Sequence, residues 1–250
     1  MNHNDIVRQS FKKQAEKFVA YHMSKVEYTD YLIQKIAATG EEHALEVAAG
    51  TCICGRALAP YVKDITCLDM TEEMLAQGIR LAEESHIENI YFQSGNAEKL
   101  PYEPETFDLV ITRLSFHHFD NPEKPFEEMK RVLKKGGKMV VWDMEAAEEP
   151  LREIDDKIEN MRDPSHTRIL SREEFEEMFK KDFALQCEET TLVPVNLKSW
   201  MELTDTSEDV QEEITNLMKA ELEGGRKTGF SPYNKDSQIC YLFLHIFRSI

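Results

Sequence analysis

The sequence of 250 residues predicts an α/β protein in which helices cover both faces of a largely parallel, doubly wound sheet. Short apolar runs alternate with longer segments of helical periodicity between residues 44 and 142, as in successive βαβ units. After residue 145 the segments become acidic and less regular, which indicates a helical cap on the sheet. A separate second domain after that residue is the alternative.

The individual elements follow from apolar spacing and from helix start and stop signals. Thr71 is expected to cap the helix after the second strand, and Gly136 and Gly137 to end the helix before the fifth. The predicted helices are 5–22, 28–38, 71–86, 121–134, 145–161, 171–180 and 207–223. The predicted strands are 44–48, 65–68, 90–92, 107–112, 138–142, 183–190 and 238–247.

Charge and composition exclude several classes of function. The chain has 47 acidic against 30 basic side chains and a formal net charge of −17, which argues against a nucleic-acid surface. The apolar run 239–247 is far shorter than the ~20 residues that cross a bilayer, and the first residues lack a signal-peptide pattern. The five cysteines are scattered, so neither a disulfide scaffold nor a metal site is expected. We expect a cytoplasmic monomer or homodimer.

The most informative segment is a strand, a loop of small residues and a helix start between residues 44 and 55. Small residues let the backbone approach a ligand closely, and Asp69, which ends the next strand, is placed to accept ribose hydroxyls. The stretch from Gly50 to Gly55 is G-x-x-x-x-G rather than the dinucleotide pattern G-x-G-x-x-G, and Glu46 would repel a phosphate. These residues favour a cationic nucleoside without phosphate.

In order and spacing, residues 44–143 resemble the class I S-adenosylmethionine-dependent methyltransferases, and among them the small-molecule, ubiquinone/menaquinone-type branch. Segments 107–119 and 131–141 resemble the family's fourth strand and the turn before its fifth. The residues that match its first three motifs are Glu46, Ala48, Gly50 and Cys52; Asp69, Met70 and Met74; and Asn96, Ala97 and Glu98.

The resemblance implies a Rossmann-like sheet of seven strands, the last antiparallel and joined to strand six by a hairpin. It implies S-adenosylmethionine as cofactor and S-adenosylhomocysteine as product, bound by the motif residues and by Arg113. It also implies that residues 1–40 form a helical segment over the cofactor. A methyltransferase domain at 41–250 would then carry cap insertions at about 145–180 and 191–237.

Candidate residues for removing a proton from the methyl acceptor follow strands four and five. By the same resemblance they are His117, His118 and Asp143. A histidine that caps or packs, and an aspartate that shapes a turn, are the alternatives for these positions.

Candidate substrate residues are Tyr21 in the N-terminal segment and His166 and Arg168 in a cationic loop of the cap. The alternatives are helix packing for Tyr21 and a solvated, ion-paired loop for the other two. The expected function is methyl transfer to oxygen, nitrogen, sulfur or activated carbon of a small-molecule acceptor. A non-catalytic S-adenosylmethionine-binding protein and an NAD(P)-dependent oxidoreductase are the alternatives.

Overall fold

The computed structural model describes residues 2–20 and 26–249, in which strands and helices alternate through the first half of the sheet. The strands are β1 (His43–Val47), β2 (Asp64–Asp69), β3 (Ile90–Ser94), β4 (Phe107–Arg113), β5 (Leu133–Met144), β6 (Cys187–Asn196), β7 (Tyr233–Lys235) and β8 (Gln238–Ser249). The helices are α1 (His3–Ala20), α2 (Val26–Ile36), α3 (Ile53–Leu58), α4 (Glu72–Glu84), α5 (Glu123–Val132), α6 (Arg152–Arg162), α7 (Arg172–Lys180), α8 (Leu197–Leu203) and α9 (Glu208–Leu222).

The eight strands found in the described part of the chain belong to one sheet with the order β3-β2-β1-β4-β5-β8-β6, and β7 pairs with β8. Strands β1 to β5 are parallel, and β8 is antiparallel to both β5 and β6, so the predicted antiparallel last strand is confirmed. The predicted count of seven strands is wrong because β7 is added through a tight turn. Asp236 and Ser237 in that turn have φ of 49° and 62°, values that suit a two-residue hairpin.

The predicted strand six, 183–190, overlaps the observed strand only over residues 187–190. Strand β6 begins and ends later and pairs with β8 from Cys187↔Ser249 to Asn196↔Cys240. Phe183, the first residue of the predicted strand, packs its ring near Phe126 and Phe179. The predicted hairpin from strand six is also wrong, because α8, α9 and β7 lie between β6 and β8.

Two predicted helices are shorter in the structure because β5 includes residues at their ends or beside them. The helix expected at 145–161 begins only at Arg152, because β5 continues to Met144 and Ala146 N–H donates to the Leu170 carbonyl. Helix α5 ends at Val132, before the two glycines, and β5 starts at the next residue. A Cβ on Gly137 would lie 2.8 Å from the Asp108 carbonyl oxygen, so this glycine permits close strand contact.

Apolar residues fill both faces of the sheet. Along β4, Leu109 and Ile111 belong to one buried cluster and Val110 to the other, as the alternation of side chains in a strand requires. A third cluster joins α6, α8 and α9 to β8 and includes Ile158, Trp200, Ile214 and Tyr241. The cap is thus packed on the last strand of the sheet.

Among residues 2–20 and 26–249, we find no helix long and apolar enough to cross a bilayer. The same residues contain no group of three or more His, Cys, Asp or Glu side chains placed to hold a metal ion. All five cysteines are free thiols, and Cys52, Cys54 and Cys67 are buried. Burial raises the pKa of the Cys54 and Cys67 thiols well above their ordinary value, so both are neutral.

Candidate active site

A cavity of about 780 Å³ lies at the carboxyl ends of β1, β2 and β4, where ligands bind in doubly wound sheets. We call it the first cavity. Its lining includes Val7, Phe11, Phe18, Glu46, Ala48, Gly50, Asp69, Met70, Met74, Ala97, Arg113, Leu114 and His118. The N-terminal helix α1 supplies three of these residues, so α1 lies over the cavity.

The loop after β1 owes its shape to alternating left-handed residues. Ala48, Gly50 and Cys52 have φ of 53°, 54° and 57°, at the three positions where the family motif has glycine. A left-handed conformation costs a non-glycine residue roughly 1–2 kcal/mol, so Ala48 and Cys52 retain the loop geometry at some expense in stability. A Cβ on Gly50 would lie 3.1 Å from the methyl carbon of Met74, the flexible end of that side chain, and Gly50 also has the left-handed φ that favours glycine.

Asp69 ends β2 at the edge of the first cavity. One carboxylate oxygen accepts from Gly50 N–H at 2.7 Å and the other from Thr71 N–H at 2.8 Å. Burial raises the pKa of Asp69, and these backbone donors oppose that shift. The predicted side-chain cap by Thr71 is not formed at the start of α4; Thr71 instead donates its own backbone N–H to the Asp69 carboxylate.

Glu46 lies at the floor of the first cavity and is almost fully buried. Its carboxylate accepts from Gly55 N–H at 2.7 Å. A Cβ on Gly55 would lie 2.9 Å from the same carboxylate oxygen and would clash with Cys67, so the second glycine of the loop serves packing of α3 on β2. Burial raises the pKa of Glu46 to about 7.

A second cavity of about 640 Å³ adjoins the first and reaches into the cap. The two share a wall made of Phe11, Phe18, Arg113, Leu114 and His118. The remaining lining residues of the second cavity are Gln14, His117, Met144, Arg162, Asp163, Val195, Trp200, Leu203, Phe243 and His245. Two guanidinium groups stack on indole rings here, Arg113 on Trp142 at 4.9 Å and Arg162 on Trp200 at 4.5 Å.

His117 and Asp143 form a buried pair behind the second cavity, with Nδ1 and Oδ1 2.7 Å apart. Asp143 also accepts backbone N–H bonds from Ser115, Phe116 and Met144 at 2.7–2.8 Å. Although burial opposes it, the charge and hydrogen bond of His117 and these backbone donors hold the pKa of Asp143 below its usual range. Asp143 is ionised, and its oxygens are directed at His117 and the backbone rather than at the cavity.

His118 lies in the wall between the two cavities. Its Nδ1 is 3.0 Å from the carbonyl oxygen of Ser165, which only accepts, so Nδ1 carries the hydrogen and Nε2 the lone pair. Burial lowers the pKa of His118 to about 3, so the ring is neutral. The Phe11 ring packs edge-on against it at 4.9 Å.

Several predicted ligand residues lie outside both cavity linings. Cys52 is buried at the start of α3, the Asn96 side chain accepts from Glu98 N–H at 2.8 Å, and Glu98 faces Lys124. These three residues shape the loops beneath the first cavity.

His166 and Arg168, two of the predicted substrate residues, also lie outside both cavity linings. His166 is buried with Nε2 3.1 Å from Asp156, its ring 5.7 Å from that of His117. Arg168 is 44% exposed and pairs with Glu174, and Tyr21 lies outside the described residues.

Sequence reasoning missed Asp163, Trp200 and His245 in the second cavity. Trp200 lies in helix α8, which was not predicted. Asp163 lies in the cap loop that contains His166 and Arg168, but only the cationic residues of that loop were predicted to bind substrate. The one available signal was His245, a polar residue inside the last apolar run.

Comparison with known proteins decides the family. Residues 45–141 match the family model described as "Methyltransferase domain". The uncharacterized methyltransferase YcgJ of Bacillus subtilis is 31% identical over 209 residues, covering 83% of this chain and 83% of that protein. The chain belongs to the class I S-adenosylmethionine-dependent methyltransferases. The crystal structure of YcgJ has a TM-score of 0.80 at 28% identity and covers 92% of this chain and 97% of its own.

Two further relatives support the same family. A crystal structure of a putative methyltransferase from Bacillus halodurans has a TM-score of 0.80 at 26% identity, covering 88% of this chain and 96% of its own. A demethylmenaquinone methyltransferase of Alkalihalophilus pseudofirmus is 35% identical over 102 residues, 40% of this chain and 43% of that protein. The Rossmann-like methyltransferase fold, the enzyme class and S-adenosylmethionine as cofactor are thereby confirmed, and the oxidoreductase alternative is set aside.

The chemistry of the first cavity fits this cofactor. A carboxylate at the end of β2 suits two ribose hydroxyls, and a second, buried carboxylate at the floor suits a cationic amino-acid portion. The apolar lining between them suits a nucleobase.

Proposed function

We propose that this methyltransferase methylates a small molecule bound in the second cavity while S-adenosylmethionine occupies the first. The observation that carries the proposal is the shared wall, which brings the acceptor side and the cofactor side together at Arg113, Leu114 and His118. Aromatic and aliphatic side chains form most of the second cavity, so they exclude water from a reacting methyl group.

The proposed cofactor contacts follow the lining of the first cavity. Asp69 accepts the ribose hydroxyls, and Glu46 and Arg113 hold the ammonium and carboxylate of the methionine portion. Met70 and Ala97 flank the adenine, and α1 covers the cofactor. Within the described part of the predicted covering segment 1–40, α1 lines the first cavity and α2 does not. Ala48, Gly50 and Met74 let the loop backbone approach the ligand. The bound cofactor supplies an electrophilic sulfonium methyl group.

Within this proposal, His117 is the base that takes a proton from the acceptor. In the neutral ring, Nδ1–H donates to ionised Asp143 and Nε2 carries the lone pair, and the imidazole lines the second cavity. The charge that lowers the pKa of Asp143 belongs to the protonated ring. Asp143 is then a positioning residue that also stabilises the imidazolium once it forms. Neutral His118, at the wall, accepts a hydrogen bond from the acceptor and orients it.

The proposal is tested by incubating the protein with methyl-labelled S-adenosylmethionine and a panel of small phenols, enols, amines and thiols. We expect labelled product together with S-adenosylhomocysteine for at least one class. Micromolar binding of S-adenosylmethionine with no turnover across the panel would favour the non-catalytic alternative. That alternative rests on Ala48 and Cys52 in place of glycine, yet both residues keep the left-handed loop.

The binding of S-adenosylmethionine is expected to depend on pH through Glu46. Burial raises the pKa of this carboxyl to about 7 from an ordinary 4.5, and a cationic ligand favours the ionised form. The affinity therefore rises with pH, by roughly eightfold between pH 6 and 7.5, and binding releases a proton in this range. Calorimetry in buffers of different ionisation enthalpy measures both quantities.

Glu46→Gln is the control for this pH dependence, because its amide does not titrate. We expect weaker binding that no longer varies over the same pH interval. A wild-type affinity that stays flat from pH 6 to 7.5 would contradict the assigned role of Glu46.

A further inference from the structure

We propose that Asp163 is a positioning residue that links helix α1, through Ser165, to the imidazole of His118: it holds the two Ser165 oxygens that accept from Nδ1 and so keeps Nε2 unprotonated at the wall between the two cavities. The inference rests on the proposed function, since it assigns a task to His118 in methyl transfer. It is carried by a continuous set of hydrogen bonds between residues that lie far apart in the sequence.

Asp163 is 2% exposed and accepts hydrogen bonds from two separate elements. From α1 it accepts Ser10 Oγ–H at 2.8 Å and Gln14 Nε2–H at 3.2 Å. From its own loop it accepts the backbone N–H of Ser165 at 2.9 Å and the Ser165 hydroxyl at 2.6 Å. Although burial opposes it, the nearby positive charge of Arg162 holds the pKa of Asp163 well below its usual range, so the side chain is an acceptor only.

The hydrogens along this chain of bonds are thereby fixed. Because the Ser165 hydroxyl hydrogen is directed at Asp163, Ser165 Oγ can only accept from His118 Nδ1, which is 3.1 Å away. The Ser165 carbonyl, 3.0 Å from the same nitrogen, also only accepts. Both bonds place the hydrogen on Nδ1 and the lone pair on Nε2.

Helix α1 contacts His118 in two further ways. His3 Nε2 lies 2.8 Å from the His118 carbonyl oxygen and so donates to it. The Phe11 ring packs edge-on against the imidazole at 4.9 Å. The position of α1 and the orientation of the His118 imidazole therefore depend on each other. The helix that lies over the first cavity also contacts the residue in the wall between the two cavities.

The test is nitrogen-15 NMR of the histidine rings in the full-length protein saturated with S-adenosylhomocysteine. In the wild type, His118 is expected to show a protonated Nδ1 and an unprotonated Nε2. In Asp163→Ala, the Ser165 N–H and hydroxyl both lose their acceptor, so the Ser165 carbonyl is no longer held beside Nδ1 and the hydroxyl can donate to that nitrogen. A substantial fraction of His118 should then carry its hydrogen on Nε2. Turnover of any acceptor found in the panel should fall at least about tenfold, with S-adenosylhomocysteine affinity changed less than threefold.

Three variants separate positioning from general structure. Asp163→Asn can keep its oxygen toward Ser165 and its amide toward a reversed Gln14, so it should restore the wild-type His118 signals. Ser165→Ala removes one hydroxyl and, even where Asp163→Ala fails to fold, should shift the His118 Nδ1 signal. Lys17→Ala removes a surface ion pair between α1 and Asp205 and should leave His118 unchanged.

Unchanged His118 signals in both Asp163→Ala and Ser165→Ala would overturn the inference. So would a loss of S-adenosylhomocysteine affinity in Ser165→Ala as large as the loss of turnover, because a positioning role acts on turnover. A tautomer change without methyl transfer to any acceptor would refute the proposed function and leave the hydrogen-bond link standing. Methyl transfer by the wild type without a tautomer change in the variants would support the proposed function and refute the hydrogen-bond link.

Discussion

Asp69→Ala is expected to weaken S-adenosylmethionine binding by about 100-fold or more. The carboxylate is placed to accept two ribose hydroxyls, and hydrogen bonds to a charged group contribute ~1.5–3 kcal/mol each. The substitution also releases the Gly50 and Thr71 N–H groups that hold the loop after β1 and the start of α4. Isothermal titration calorimetry of the folded variant measures the loss.

Asp64→Ala is the matched control for this variant. Asp64 begins the same strand, β2, and pairs with His43 at the opposite end of the sheet from the first cavity. We expect its S-adenosylmethionine affinity to equal that of the wild type. If Asp69→Ala also bound with unchanged affinity, the assignment of the first cavity to the cofactor would be contradicted.

Asp143→Asn is expected to lower kcat by about 100-fold or more while leaving S-adenosylmethionine affinity within threefold. One carboxylate oxygen accepts from Ser115 and Phe116 N–H, the other from Met144 N–H and His117 Nδ1–H. An asparagine side chain can accept from only one of these two sets of donors with its oxygen. Its NH₂ group then faces the donors of the other set. The orientation that retains the first set drives the His117 hydrogen to Nε2, which removes the lone pair from the second cavity.

Two measurements on Asp143→Asn separate a positioning role of Asp143 from a role in stability. Thermal unfolding reports the stability lost through the unmatched Met144 N–H, and kcat with a panel acceptor reports the proton transfer. Asp120→Asn, at an exposed position after His118, should change neither quantity. Full activity in Asp143→Asn would show that the pair does not serve deprotonation.

The sequence predicted the part of the fold in which strands and helices alternate along the chain, from β1 to β5. Strands β1 to β5 each begin and end within a few residues of an apolar run flanked by helix signals, so periodicity located them. Strand β6 was misplaced because it is an edge strand with a mixed pattern. Its register is set by pairing with β8, and the paired residues are 44 positions apart at Asn196↔Cys240 and 62 apart at Cys187↔Ser249. Pairing of β5 with the same strand β8 shortened α6, since β5 continues through Met144.

The cofactor side of the site was readable for a related reason. Glu46, Gly50 and Asp69 lie on consecutive strand ends, and parallel strands bring successive carboxyl ends to one edge of the sheet. Left-handed φ at Ala48 and Cys52 could not be read from residue type, because neither residue prefers that conformation. The motif was recognisable from its small side chains all the same.

Local spacing in the sequence thus carried the fold class and the cofactor-facing residues, because their positions depend on strands that follow one another along the chain. The acceptor side depended on folding as a whole. Asp143 lies behind His117, and Asp163 joins Ser10 to His118, because β5, the cap loop and α1 converge from positions up to 153 residues apart. Sequence periodicity does not predict such contacts. They arise where separate elements cross in three dimensions, whereas periodicity reports only the spacing of side chains within one element.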